Sequence, residues 1–393
     1  MFNRLKMLFH IPYFWLFIIC MLLVGTSISI TAPYLSIYGT TVIGMSPSAF
    51  GVFMAVSSFA GVIANTIIAN YSDNGMSRKW LILAALLSSA CGYTSYLIFE
   101  SFIGLLLSVS FFNGLGAAAM PQMFAYADES ANASKSQDKT FAKSTLRSLF
   151  SLGFLIGPLF GTLLLGAFNY QGLFLGTSFI FLILACIVFL FLPKRKASVK
   201  KSVHSKPNLF FSSEMKGMIW PFIAFTLLFA VNSVNGINTP LLIINELQGT
   251  PANVGVMVAL CAGLEIPLML TFGALSTRIS NQWITLIGCA AALLYYSILA
   301  LSTDTWQLIG AQIFQATFVA VVMGNGLSYF SNLLPHSAGV AATMYANAST
   351  LGRLGGNLLA GFGATLVGFR YINWFCLVVL VTSIFLLFKK DKR

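Results

Sequence analysis

Charged side chains are scarce in this chain: 22 Lys and Arg with 10 Asp and Glu make up 8% of its 393 residues. A water-soluble domain carries about a quarter, so a soluble globular class is excluded. Histidine is nearly missing too. Its three copies, His10, His204 and His336, sit near ends or in loops, and no His or Cys cluster has ligand spacing. No metal centre is expected. The six cysteines (Cys20, Cys91, Cys186, Cys261, Cys289, Cys376) all fall inside apolar runs, where a thiol behaves as a small hydrophobe. A Gly-x-x-x-x-Gly-Lys-Ser/Thr phosphate loop is lacking, which excludes an ATPase of that design. Neither an enzyme nor a cofactor is expected, and any work done must draw on an ion gradient.

Apolar sequence is what the chain has, at 58% of residues. Twelve runs, 12–38, 47–70, 79–99, 103–126, 141–167, 170–192, 217–244, 252–276, 282–301, 305–331, 338–366 and 370–388, are each near or above the ~20 residues that cross a bilayer as a helix. The expected fold class is an all-α membrane protein of twelve transmembrane helices. The opening "MFNRLKMLFHIPYFWLF" imitates a signal peptide, but its apolar run is too long and no small-residue cleavage site follows. It reads as the first span.

The formal charge of +12 is not a nucleic-acid signal, because the basic residues sort into alternate loops. Arg4, Lys6, Arg78, Lys79, Lys135, Lys139, Lys143, Arg278, Lys389 to Arg393 and the linker "KRKASVKKSVHSK" fall on one side. The other side has Glu100, Glu246, Asp304 and a single basic residue, Arg370. Lys/Arg bias sets orientation, so both termini and the linker are expected in the cytoplasm, with the lipid bilayer as the surrounding partner.

The chain also repeats itself. "SPSAFGVFMAV" (46–56) matches "TPANVGVMVAL" (250–260), pairing Pro47 with Pro251 and Gly51 with Gly255 at a displacement of 204. Trp80 with Trp283, Met120 with Met323 and Tyr126 with Tyr329 are each displaced by 203, and "TAPYL" (31–35) meets "NTPLL" (238–242) at 207. Chance matches would scatter in offset. The expected organisation is therefore a six-helix bundle over 1–192, a basic cytoplasmic linker over 193–216 and a second six-helix bundle over 217–393. Parallel repeats of this kind are typical of secondary transporters, with substrate bound near the midplane.

Three ionisable residues fall inside spans: Arg147, Glu265 and Arg353. A charge at mid-bilayer costs on the order of 2.5–3.5 kcal/mol even on lenient scales, and is a functional hypothesis by default. Glu265 and Arg353 lie near the middle of their spans in one half, so each is a candidate partner for the other. Burial favours the neutral acid and a nearby arginine favours the carboxylate; a glutamate between those influences exchanges a proton as the arginine moves. The alternative is a permanent ion pair pinning two helices. Pro267 follows two residues later and frees a backbone carbonyl beside the carboxylate.

In "VNSVNGINTP" the amides Asn232, Asn235 and Asn238 recur every three residues, within about 120° of helix arc. Amides both donate and accept, which suits a sugar's hydroxyls; interhelical hydrogen bonding is the equal alternative. Gln122 with Tyr126, and Asn325 with Tyr329, are matching i, i+4 pairs toward the cytoplasmic ends, near Asp128 and Arg147. They fit substrate binding or a gate that closes by hydrogen bonding. "GFLIGPLFG" brings Gly153, Gly157, Pro158 and Gly161 onto one span, where four-residue glycine spacing lets backbones approach; "GRLGGNLLAGFG" does the same in the eleventh.

Twelve helices in two halves resemble the major facilitator superfamily over the whole chain. The loop "ANYSDNGMSRKW" is similar to that family's gating loop through Asp73, Gly75, Arg78 and Lys79, with Ala69 where the family has glycine. "GFLIGPLFG" is similar to the signature of its proton-coupled exporters, which implies antiport. "AMPQMFAYADE", "LRSLFSLGFLIGP" and "LEIP" resemble the bacterial sugar efflux transporters. That resemblance implies export of sugars or glycosides across the bacterial cell membrane in exchange for protons, with Arg147 and Glu265 at binding or coupling positions. A multidrug antiporter of the same superfamily, with an aromatic pocket, is the second reading. A non-transporting receptor is the third, and the intramembrane charges count against it. A monomer is expected.

Overall fold

The structure, a computed structural model, describes residues 11–133, 139–194, 217–276, 278–334 and 338–388. His10, His204, His336, Arg4, Lys6, Lys135, Lys389 to Arg393 and all but the first two residues of the linker lie outside them. The side chains of Asp73, Asp128, Lys139, Lys143 and Arg147 are likewise outside the description, although their backbones are helical.

Every described regular element is helical. Helix α1 (Phe14–Thr31) runs on through tighter and wider turns to Val42. It is followed by α2 (Pro47–Asp73), α3 (Arg78–Ile98), α4 (Phe102–Gly116), α5 (Ala119–Ala133) and α6 (Lys139–Phe191). Beyond the linker come α7 (Ile219–Asn245), α8 (Pro251–Leu275), α9 (Asn281–Leu301), α10 (Thr305–Leu333) and α11 (Ala338–Phe388). Among the described residues ten helices are long and apolar enough to cross a membrane, with α4 and α5 joined in one of them.

Two of the ten need an internal break. A straight helix of 53 residues, the length of α6, would reach ~80 Å, more than twice the hydrocarbon thickness. The backbone leaves helical geometry at Asn169 (φ 54°) in α6 and at Gly368 (φ 85°) in α11, where two helices meet across a kink. These residues fall in the gaps that the apolar pattern leaves between 167 and 170 and between 366 and 370. Positive φ suits glycine and is tolerated by asparagine better than by other side chains.

The repeat is visible in helix starts. α2 and α8 begin 204 residues apart, at Pro47 and Pro251. α3 and α9 begin 203 apart and both run for 21 residues. Local signals fix several of these starts. Thr250 and Asn253 form a reciprocal capping box ahead of α8, and Asp304 and Gln307 do the same ahead of α10. Each such box satisfies two otherwise orphaned backbone donors.

The chain divides into two compact units. The first takes Met1–Ala32 and Val56–Ser202; the second takes Pro33–Ala55 and Val203–Arg393. The division differs from a simple cut at the linker because residues 33–55 pack with the second half of the chain. Inside that second unit a Cβ on Gly51 would come within 2.8 Å of the Gly361 Cα, and the Ser48 amide donates to Thr365 Oγ1 at 3.1 Å.

Within each unit one glycine-lined seam dominates. In the first, α1 packs along α6: Gly153 lies against the backbone of Leu22 and Thr26, Gly157 against Ser29, and Ser29 Oγ donates to the Gly153 carbonyl at 3.0 Å. Pro158 and Gly161 are buried on the same helix. In the second, α7 packs along α11, with Gly352 and Gly356 against the backbone of Thr226 and Ala230. Small residues let these helices approach to backbone contact, the means of association left where lipid competes for every apolar side chain.

Candidate functional site

Two polar clusters stand out, one in each unit. In the first unit Arg78 opens α3 and is buried at 9% exposure. Its Nη1 donates to Ser72 Oγ at 2.6 Å and to Gln122 Oε1 at 2.8 Å. Its Nε and Nη2 both reach Glu129 Oε1, at 3.0 and 2.9 Å. The guanidinium fork thereby ties α2, α3 and α5 together with charge-assisted bonds. Lys79 Nζ donates to the Phe189 carbonyl at 2.8 Å and lies 5.4 Å from the centre of that ring. Tyr126 donates to the Pro193 carbonyl at 2.9 Å and is 1% exposed.

Gln122 and Tyr126 therefore turn toward protein, where the sequence left substrate binding and gating open. Their repeat counterparts behave alike. Asn325 Nδ2 donates to Asn281 Oδ1 at 3.0 Å, and Tyr329 packs its ring 5.3 Å from that of Phe225. Arg78 and Asn281, like Gln122 and Asn325, are 203 residues apart. Each unit has its own hydrogen-bonded corner at these positions, cationic in the first and neutral in the second.

The second unit holds the amide stripe of α7. Asn232 and Asn235 are half-buried, whereas Asn238 is 1% exposed. Asn238 Nδ2 donates to the Phe369 carbonyl at 2.7 Å, beside the Gly368 kink, so this amide joins α7 to α11. Asn235 Oδ1 accepts from Thr239 Oγ1 at 2.5 Å and from the Tyr295 hydroxyl at 2.9 Å. Gln312 Nε2 donates to the Tyr295 oxygen at 3.3 Å and to the Leu308 carbonyl at 3.0 Å. Gln315 Nε2 donates to Asn232 Oδ1 at 3.1 Å, and its own Oε1 is buried without a partner. Sequence reasoning missed Tyr295, Gln312 and Gln315. The two glutamines sit three apart in an apolar run, the same signal that marks the asparagines.

Glu265 lies half-buried on α8, with Pro267 within the same helix. Just beyond it, Leu268, Met269 and Phe272 pack on Ala320 and Val321 of α10. There the chain adopts a π-helical turn over Ala320–Asn325. Tyr345 of α11 donates to the carbonyls of Val322 and Met323, both at 3.2 Å. A π-turn in the middle of a helix is locally deformable and is frequent at functional sites.

Arg353 is exposed on α11. Among the described residues Arg78 pairs with Glu129 and Arg370 with Glu246. Arg370 also donates to the Ser302 carbonyl, so this lone basic residue closes the ends of three helices.

A profile of the Major Facilitator Superfamily matches residues 15–305 and 221–393. The chain belongs to that superfamily. Within it, the chain is 31% identical to Sugar efflux transporter B of Salmonella typhimurium, over 94% of each chain. It is 30% identical to Sugar efflux transporter A of Dickeya chrysanthemi over 88% of each. Among solved structures, the nucleoside transporter NupG superposes with a TM-score of 0.77 at 15% identity, covering 96% of this chain and 98% of that one. An inward-facing bacterial homolog of the lysosomal transporter Spinster gives 0.74 at 13%, covering 96% of both. These two likenesses show the fold, an all-α bundle.

Proposed function

We propose that this protein exports sugars or sugar-like small molecules by alternating access, in exchange for protons. The observation that carries the reading is the likeness, across nearly the full length of both chains, to proteins named sugar efflux transporters. The amides of α7 support it, since half-buried Asn232 and Asn235 offer hydrogen bonds of the kind that hydroxyl-rich ligands need. Arg147, by the resemblance of its span, is proposed as a substrate-binding residue.

Glu265 is the proposed proton carrier. It is the one carboxylate inside an expected span, it stands in the same helix as Pro267, and its helix packs on the π-turn of α10. Protonation there would be felt along α8 and α10 together. Arg353 then acts as a mobile cation of the coupling site, and the Arg78, Gln122 and Glu129 corner, with Lys79 and Asp73, as a gate. We place the protein in the bacterial cell membrane as a monomer, and the Lys/Arg bias supports cytoplasmic termini.

The test is transport by the purified protein in sealed vesicles. Labelled lactose or a labelled glucoside should move up its gradient when protons flow the opposite way, and should only equilibrate when the pH is equal on both sides. Sugar movement that ignores the proton gradient overturns antiport. Export of dyes or drugs with no sugar movement favours a multidrug exporter instead.

A further inference from the structure

The hydrogen bonds behind the α7 stripe have a direction, and that direction can be followed from a group with no choice. The Leu308 carbonyl only accepts, so the atom of Gln312 that meets it at 3.0 Å is the nitrogen. That nitrogen's second hydrogen points to the Tyr295 oxygen at 3.3 Å. Tyr295 in turn donates its own hydrogen to Asn235 Oδ1, 2.9 Å away. Thr239 adds a second donor at 2.5 Å. The side of Asn235 facing this relay is its carbonyl oxygen, with two hydroxyl donors on it. Tyr295 and Thr239 are fully buried and Gln312 is 2% exposed, so water is not at hand to replace a lost bond and let the amide turn over.

What remains of Asn235 is its NH2 group, on a half-buried side chain. One turn earlier on the same stripe, Asn232 also has its carbonyl occupied, by Gln315 at 3.1 Å. We infer that Asn235 reads the substrate as a donor only, recognising a sugar oxygen that accepts, and that Tyr295 and Gln312 are positioning residues that hold its amide in this orientation. The inference rests on the sugar-export reading. It narrows the substrate to molecules that present a hydroxyl, ring or glycosidic oxygen lone pair to α7. An ammonium or other donor-only group is not accepted at that place.

Analogues of an exported sugar separate donation from acceptance. A fluorine in place of one hydroxyl still accepts, weakly, but cannot donate; a hydrogen in its place does neither. Full-length protein in proteoliposomes, with labelled sugar export competed by the monofluoro and monodeoxy series, should reveal one position where the fluoro analogue binds about five- to tenfold better than the deoxy analogue. Tyr295→Phe leaves Thr239 alone to orient the amide and should narrow that gap while raising KM more than it lowers kcat. Asn235→Asp keeps an acceptor for Tyr295 and Thr239 but has no donor to offer, and should erase the gap. It decides the matter should Tyr295→Phe fail to fold.

A wild-type protein that treats fluoro and deoxy analogues alike at every position overturns the inference. So does a gap that survives in Asn235→Asp. Wild-type protein that moves no sugar at all overturns the export reading and this assignment with it, whereas sugar export without the gap overturns this assignment alone.

Discussion

Arg78 donates to Gln122 over 2.8 Å, and their counterparts 203 residues further along are bonded in the opposite sense, Asn325 donating to Asn281 over 3.0 Å. The same pair of positions is thus bonded twice, with a guanidinium in one copy and two amides in the other. The charged copy adds Ser72 and Glu129 to the same arginine.

The two corners should differ in what they contribute. Arg78→Ala leaves Gln122 and Ser72 without a partner and strips Glu129 of its cation. With the Glu129 side chain at 23% exposure, solvent softens that loss, and a destabilisation of about 2–4 kcal/mol is expected. Asn281→Ala removes one neutral bond and should cost about 1–2 kcal/mol. Thermal unfolding in detergent measures both, and equal effects would show that the charge adds nothing.

Glycines on the seams should be intolerant where glycines elsewhere are not. A Cβ at Gly153 or Gly356 would overlap backbone of the neighbouring helix, whereas nothing lies within 4 Å of one at Gly166. Gly153→Ala and Gly356→Ala should each lose about 1–3 kcal/mol through overpacking, and Gly166→Ala should be close to neutral. Unfolding temperature and the monodisperse fraction on purification report the difference.

The π-turn of α10 offers a third test. Tyr345→Phe removes the one hydroxyl that serves both the Val322 and Met323 carbonyls. Lost hydrogen bonding of that kind is worth about 1–2 kcal/mol. Because the turn packs on the helix of Glu265, slower turnover with little change in KM is expected. Unaltered turnover would make Tyr345 a packing residue only.

Much of this architecture was legible in the sequence, and particular residues show why. The breaks at Asn169 and Gly368, the repeat offsets and the start of α8 at Pro251 follow from hydropathy, chain length and turn-forming residues, all of which act locally. The site was less legible. Gln122 and Asn238 announce themselves as intramembrane amides, yet their partners, Arg78 and the Phe369 carbonyl, depend on helix rotation and depth, which a periodic pattern leaves open. Tyr295 reads as one more aromatic in an apolar run. Only its contacts with Asn235 and Gln312 show that it orients a neighbour.

Glu265 gives the most direct test of proton-driven export. Glu265→Gln keeps the shape of the side chain and removes its titration. In proteoliposomes at equal pH, exchange of labelled for unlabelled sugar should continue near the wild-type rate, while accumulation driven by a pH gradient should vanish. Gradient-driven accumulation that persists in Glu265→Gln would contradict the assignment of this carboxylate as the proton carrier.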